Sequence, residues 1–300
     1  MRSFLIAAAA AVLIPAISAD AATPPSKKMT CPVGGKTFSF STAASYSTWG
    51  ERPDGKPYGS GVFPLALPEC PDNGLVFFKD YEPEETAKLQ ALVTSDAYQA
   101  LRGDVPYYRA YWLMGEMGVP AQARLLALQR AAWQADGQPE LRARYLAAFA
   151  EETAKLPEKP EDVNWIGMEG RAVNALRELG RFDDATARLA KLPLAALAVA
   201  EPKADDKSEV AAQARARRNW RTYFETQKLL IARADASSEP FELIPRRVWA
   251  ERCTAATGLS ENQGAYCTAH AGEIAEIKAA VAKADAELKA LSQSRDKSGR

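Results

Sequence analysis

The chain has 300 residues, of which 38 are Lys or Arg and 38 are Asp or Glu, so its formal net charge is zero. This balance argues against nucleic acid as a partner and against a polybasic membrane anchor. The length is sufficient for one large helical domain or two smaller ones.

The first 22 residues are predicted to be a cleavable secretory signal peptide. Arg2 gives a positive start, residues 4–17 are apolar, and small residues surround Asp20. The apolar stretch is shorter than the roughly 20 residues that a bilayer-spanning helix needs, and Pro15 interrupts it. We therefore expect removal of residues 1–22, export to the periplasm and a mature protein without a stable membrane span.

Four cysteines would meet an oxidising compartment after export, and they are Cys31, Cys70, Cys253 and Cys267. They allow three pairings, of which nearness in sequence favours the first with the second and the third with the fourth. Loop-closure entropy makes the first pair worth roughly 4 kcal/mol and the second roughly 3 kcal/mol. A metal site is the alternative, with His270 beside Cys267 as a further ligand. We favour two disulfides and expect no metal or other cofactor.

Residues 28–82 are predicted to form a small, loop-rich head. Glycine and proline interrupt short aromatic and β-branched runs there, and two of these runs, residues 36–40 and 75–78, are predicted to be strands. A unit of about 55 residues has a core of marginal size. A disulfide between Cys31 and Cys70 would therefore stabilise this head.

Residues 83–291 have apolar side chains at spacings of three and four, which predicts helices that each bury one face. Gly118 and Gly137 separate successive helices. Further helices are predicted over residues 141–156, 161–179, 182–192, 210–232 and 273–291. Residues 240–264 are less regular, and residues 292–300 are expected to be a flexible, frayed tail. The predicted fold class is mainly α, an antiparallel helical-repeat array with a small β-containing N-terminal head.

Two segments resemble the junction between the paired helices of a tetratricopeptide repeat. In residues 172–185 (AVNALRELGRFDDA), Gly180 would end one helix and Ala185 would allow close approach of the next. Residues 111–118 (YWLMGEMG) are a weaker match, and their last glycine precedes Gly180 by a little under two repeat lengths. The resemblance implies stacked helix pairs.

The head resembles a zinc ribbon in residues 31–35 (CPVGG) and 70–74 (CPDNG). Each knuckle of a zinc ribbon normally has a second cysteine, where this sequence has Gly34 and Asn73. Two sulfurs are too few for a structural zinc site without other ligands. Head and helices together resemble a bacterial family with a zinc-ribbon-like head and tetratricopeptide-like helices, which implies a fold more than a function.

Two clusters of side chains are candidate binding residues. The aromatic cluster comprises Tyr107, Tyr108, Tyr111 and Trp112. It would either form the floor of a groove or pack in the core. The cationic cluster comprises Arg215, Arg218 and Arg221. It would either bind an anionic partner or form a solvated face paired with nearby acids.

The sequence predicts a non-enzymatic scaffold of the periplasm that binds a protein or peptide, because stacked helix pairs present a concave surface without catalytic residues. The alternative is an envelope enzyme that acts on a glycan or peptide through carboxylates. The carboxylates considered for it are Glu82, Glu84, Glu85, Glu151 and Glu152. A purely structural envelope component is a third possibility. Triad chemistry is not expected, because His270 is the only histidine and no serine elbow motif is present.

Overall fold

The computed structural model describes residues 26–43 and 45–298, with the backbone alone at residues 285, 288 and 291–298. The predicted signal peptide lies outside the described residues. Within them the chain has eleven α-helices and four short strands. This composition confirms the predicted fold class.

The strands form two antiparallel hairpins in the head. β1 (Ser26–Thr30) pairs with β2 (Thr37–Ser41), and β3 (Thr48–Glu51) pairs with β4 (Pro57–Gly59). The strand predicted over residues 36–40 is therefore found as β2, displaced by one residue.

The strand predicted over residues 75–78 is wrong. Val76 makes only an isolated bridge to Glu69. Leu75 and Val76 are fully buried, and they pack against the first helices. The apolar run that suggested a strand is thus part of the core between head and helices.

The helices follow the head in chain order. They are α1 (Thr86–Val93), α2 (Asp96–Ala100), α3 (Pro106–Glu116), α4 (Ala121–Gln134), α5 (Pro139–Thr153), α6 (Val163–Glu178), α7 (Phe182–Leu189), α8 (Glu209–Ala232), α9 (Arg246–Ala255), α10 (Glu261–Ala269) and α11 (Ala271–Ser298). In the part of the chain that the structure describes, no helix is both long and apolar enough to cross a membrane.

Most predicted helix bounds differ from the observed ones by up to three residues, and two regions differ by more. The less regular stretch of residues 240–264 contains α9, which begins directly after Pro245. α11 continues past the predicted end at residue 291 to Ser298. Residues 292–298 contain neither glycine nor proline, so the sequence has no signal that would end the helix there.

Successive helices from α3 to α7 pack on one another, and α6 also packs on α8. Helices α3 and α6 end in the same way, with Gly118 at φ 75° and Gly180 at φ 70°. In both, the N–H of the residue after the glycine donates to a carbonyl five residues back. Ala185 is fully buried where α7 approaches α6. Alternate helices α4, α6 and α8 together line one surface of the array, called the inner face below.

The predicted head has no core separate from the helices. Cys31 and Cys70, with Cα atoms 5.7 Å apart, are buried together with side chains of α1, α2 and α3. The Tyr98 hydroxyl of α2 donates to the carbonyl oxygen of Gly74 (2.6 Å). The second predicted pair, Cys253 and Cys267 (Cα atoms 5.5 Å apart), ties α9 to α10. Both predicted pairings are therefore found at disulfide distance.

Candidate functional site

A loop of the head, residues 52–56 (RPDGK), lies on the inner face. The carbonyl oxygen of Asp54 accepts hydrogen bonds from Gln129 Nε2 (2.5 Å) and Trp133 Nε1 (3.2 Å), both on α4. On α8, the Tyr223 hydroxyl donates to the carbonyl oxygen of Pro53 (2.9 Å). The helices thus hold this segment by backbone atoms that any polypeptide has.

Gly55 allows the loop to approach α6 closely. Its φ is 82°, and a Cβ at this position would lie 2.6 Å from Nε of Arg171. A larger residue would therefore be strained and would displace the arginine.

A cluster of charged side chains from the loop and the neighbouring helices holds the loop by ion pairs. The cations are Arg52, Lys56 and Arg142, and the acids are Asp54, Asp136 and Glu178. Arg142 of α5 is the centre, with its guanidinium 3.0 Å from Asp54, 2.8 Å from Asp136 and 2.6 Å from Glu178. Three positive charges meet three negative ones, so the cluster is electrically balanced.

Burial and charge act against each other on these carboxyl groups. Burial raises the pKa of Asp54, but attraction to Arg52 and Arg142 outweighs it and the pKa lies below its ordinary value. Asp136 behaves in the same way, with hydrogen bonds from Arg52 outweighing its burial. Burial of Glu178 is the stronger influence, and its pKa is raised despite the attraction of Arg142.

The polar network continues from α6 to α8. Asn174 Nδ2 donates to Glu178 (2.7 Å), and Asn174 Oδ1 accepts from Arg177 (2.8 Å) and from Gln227 of α8 (3.0 Å). Arg177 is fully buried, and it also donates to the carbonyl oxygen of Asp235 (2.5 Å). Burial lowers the pKa of Arg177. The network links the head loop, α5, α6 and α8 into one unit.

Beside the loop, the inner face has an open groove of about 630 Å³, lined by α4, α6, α8, Gly55 and Pro120 of the α3–α4 connection. Its lining includes the apolar side chains Leu126 and Met168, the indoles Trp133 and Trp220, the amides Gln122 and Asn164, and the cations Arg130 and Arg171. Among the described residues that line it there is no acid. The groove is therefore apolar, aromatic and positively charged.

Two glycines of α6 place Trp220 in this groove. A Cβ at Gly167 would lie 2.9 Å from the Trp220 ring, and one at Gly170 would lie 2.7 Å from it. The ring can lie against the α6 backbone because these positions lack side chains. The Arg171 guanidinium lies 5.3 Å from the ring centroid, within cation–π range.

Arg171 is incompletely paired. Its Nε is buried and has no hydrogen-bond partner. Its Nη2 lies 3.4 Å from a carboxylate oxygen of Glu51, whose side chain is 57% exposed. This distance is long for a charge-assisted hydrogen bond, which is normally about 2.7–2.9 Å.

The predicted aromatic cluster is divided between two cores. Tyr107 is buried, and its hydroxyl donates to the carbonyl oxygen of Leu65 (3.0 Å). Tyr108 and Tyr111 pack against the core of the array, whereas Trp112 packs against the core shared with the head. These four side chains are placed as packing residues and do not line the open groove.

The predicted arginine cluster is brought together in a second cleft of about 780 Å³ on another side of α8. Arg215 donates to the carbonyl oxygen of Asp206 (2.6 Å), Arg218 lies 3.1 Å from Glu201, and Arg221 lies 2.9 Å from Glu225. Each guanidinium thus has a partner from its own chain. Exposed ion pairs of this kind contribute little to stability.

The predicted carboxylates lie at helix starts and on exposed faces. Glu82 and Glu84 are exposed, and the Glu85 carboxylate accepts from the backbone N–H of Glu82 at the first helical turn. On α5, Glu151 is exposed and Glu152 pairs with Lys155.

The ring of His270 stacks on Tyr266 with the centroids 3.9 Å apart. Its neighbour Cys267 is held in a disulfide. A metal site that used the Cys267 thiolate would require this bond to be reduced.

Sequence reasoning missed the open groove. The pattern that indicates it is a pair of glycines three residues apart inside α6, Gly167 and Gly170, followed by Arg171. Comparisons with protein-family models, with curated proteins and with solved structures found no match to this chain. The inner face is therefore interpreted from its own contacts and charges.

Proposed function

We propose that this protein is an exported helical-repeat scaffold that binds a peptide segment of a partner protein in the open groove. The observation that carries the proposal is the loop beside this groove. The inner face already holds the turn between β3 and β4 by the carbonyl oxygens of Pro53 and Asp54. Gln122 and Asn164 supply similar amide groups in the open groove.

The two cysteine pairs support a location in the periplasm. Disulfides persist in oxidising compartments and are rare in the bacterial cytosol. Cys31 and Cys70 bond two turns of the head, and Cys253 and Cys267 bond α9 to α10. Together with the predicted signal peptide, they favour export.

The burial of Glu178, a carboxyl group whose pKa is raised, favours a binding function over hydrolysis. A glycosidase needs a carboxylic acid with a raised pKa that reaches its substrate. Glu178 has the raised pKa, but its side chain is only 4% exposed and is held by Arg142 and Asn174. This position suits a structural role.

The proposal is tested with the full-length protein on an array of random decapeptides. We expect a subset of peptides to bind, and we expect Leu126→Glu to abolish that binding because Leu126 is 41% exposed in the groove. The matched control is Leu229→Glu, since Leu229 is also exposed but lies outside the groove on α8. Absence of bound peptides, or equal losses in both variants, would refute the proposal.

A further inference from the structure

We infer that the open groove selects peptide segments in which an acidic side chain stands next to an apolar or aromatic one. This inference rests on the proposed function, and it names the class of segment that the groove takes. Three properties of the groove carry it: its charge, the incomplete pairing of Arg171 and its exposed apolar surface.

The charge of the groove is positive. Arg130 and Arg171 line it, and no acid does so among the residues that the structure describes. The loop cluster next to it is different, because there three acids balance three cations. A carboxylate that enters the groove would therefore meet attraction from two guanidinium groups, opposed by the exposed Glu51 carboxylate beside Arg171.

A ligand carboxylate would compete with Glu51 for the guanidinium of Arg171. Among the residues that the structure describes, Arg171 forms an ion pair with the Glu51 carboxylate alone, at 3.4 Å, and the Glu51 side chain is 57% exposed. The Nε donor of Arg171 has no partner at all. Because the loop encloses Nε, a ligand would reach the terminal Nη atoms of this partly exposed guanidinium, whose one ion pair is long, and would form a closer charge-assisted hydrogen bond there.

The apolar part of the groove favours an apolar or aromatic side chain next to the acid of the bound peptide. Leu126 is among the few large apolar side chains that are exposed in the described chain, and Met168 and the two indoles lie in the same lining. An aromatic or branched aliphatic side chain would bury this surface. A purely acidic peptide would leave it exposed to water.

The experiment compares matched sets of amidated decapeptides on the array. The centre of each peptide is an acid flanked by Leu or Phe, the same centre with Asn or Gln in place of the acid, or the acid flanked by Ser. We expect the first set to bind at least about tenfold more tightly than the other two. The amide set loses a charge-assisted hydrogen bond and the Ser set loses the burial of an apolar side chain, and each is worth a factor of about this size. A fourth set carries Asn at its centre and a free C-terminal carboxylate, which separates a terminal carboxylate from a side-chain one.

Substitutions in the protein test whether the preference for an acidic peptide arises in the groove. Arg171→Gln should reduce the preference for the acid by about tenfold. Arg130→Gln should weaken the same preference, and because the Arg130 side chain is exposed, the variant loses only a cation–π contact with Tyr107 from the fold. The control is Arg221→Gln, which removes one positive charge from α8 outside the groove. It should leave binding unchanged.

The outcomes separate this inference from the proposed function. Equal binding of the acidic and amide sets would overturn the inference and leave the peptide-binding function intact. Binding of no set would overturn both. A preference for the acid that survives in both groove variants would place recognition elsewhere and overturn the inference.

Discussion

The inner face has two adjacent parts, and they differ in whether the chain itself supplies the groups that the helices bind. In the first part the chain's own loop supplies the acids and carbonyl oxygens that the helices bind, and each of the six charged groups has a partner. In the second part Arg171 has a donor without a partner, and Leu126 is exposed. The inner face thus has one part that the chain's own loop occupies, with Arg142 of α5 at its centre, and one part that stays open.

On this surface, one group of side chains stabilises the fold and a neighbouring group is available for binding. A buried charge must be paired, because an unpaired one costs several kcal/mol. The loop cluster is therefore expected to stabilise the fold, and its loss should be measured as a loss of stability. The groove is more exposed, so substitutions in it should weaken peptide binding and leave the stability almost unchanged.

The largest expected effect comes from Asp54→Ala. This change removes the acid that Arg52 and Arg142 share and leaves both guanidinium groups short of a partner in a buried place. We expect a loss of about 3–5 kcal/mol in the free energy of unfolding, measured by urea titration. Asp184→Ala is the control, because Asp184 forms only an exposed pair with Arg181 and should cost about 1 kcal/mol or less.

Acid should weaken the same cluster. The pKa of Asp54 and of Asp136 is lowered in the folded protein, so their contribution is present above the unfolded value of about 3.9 and is lost as the pH falls below it. Glu178 has the opposite effect on stability, because its pKa is raised in the folded protein. Its protonation at low pH therefore favours the folded state. The urea midpoint should therefore fall between pH 5 and pH 2, and it should fall less in Asp54→Asn. The same decrease in both proteins would contradict this assignment.

An intermediate effect is expected at the contact that positions Trp220. Gly170→Ala would place a methyl group 2.7 Å from the ring, which should cost about 1–3 kcal/mol and change the Trp fluorescence. Gly264→Ala is the matched control, since this helical position of α10 has no atom within 4 Å of the added Cβ. That variant should be as stable as the parent or gain about 0.5–1 kcal/mol. Similar results for both variants would show that the Trp220 contact is not tight.

The smallest effect on stability is expected for Arg171→Gln. The variant loses a cation–π contact with Trp220 and one long ion pair, so the loss should be about 1 kcal/mol or less. A loss as large as that of Asp54→Ala would mean that Arg171 belongs to the structural cluster. It would also remove the distinction between the two parts of the inner face.

Local patterns predicted much of the fold. Apolar spacing predicted α5 to α8, and nearness in sequence predicted both cysteine pairs. The residues 75–78 were misread because a short buried run has the same composition whether it pairs with a strand or packs on a helix.

The site was less predictable, because it depends on contacts between distant residues. The loop at Asp54 meets Arg142 across 88 positions of sequence. Trp220 reaches Gly167 and Gly170 across about 50 positions, and no local period indicates such a contact. The aromatic residues from Tyr107 to Trp112 were conspicuous in the sequence, yet helical geometry divides them between two cores.

Photo-crosslinking would show whether the groove between α4, α6 and α8 binds an acidic, partly apolar segment. The full-length protein is irradiated with an array-selected acidic decapeptide that carries a benzophenone side chain, and the products are mapped by mass spectrometry. We expect crosslinks to Leu126, Met168 or Trp220 that disappear when an unlabelled acidic peptide is in excess. Crosslinks confined to α9, α10 and α11, or to the arginine cleft of α8, would contradict this expectation.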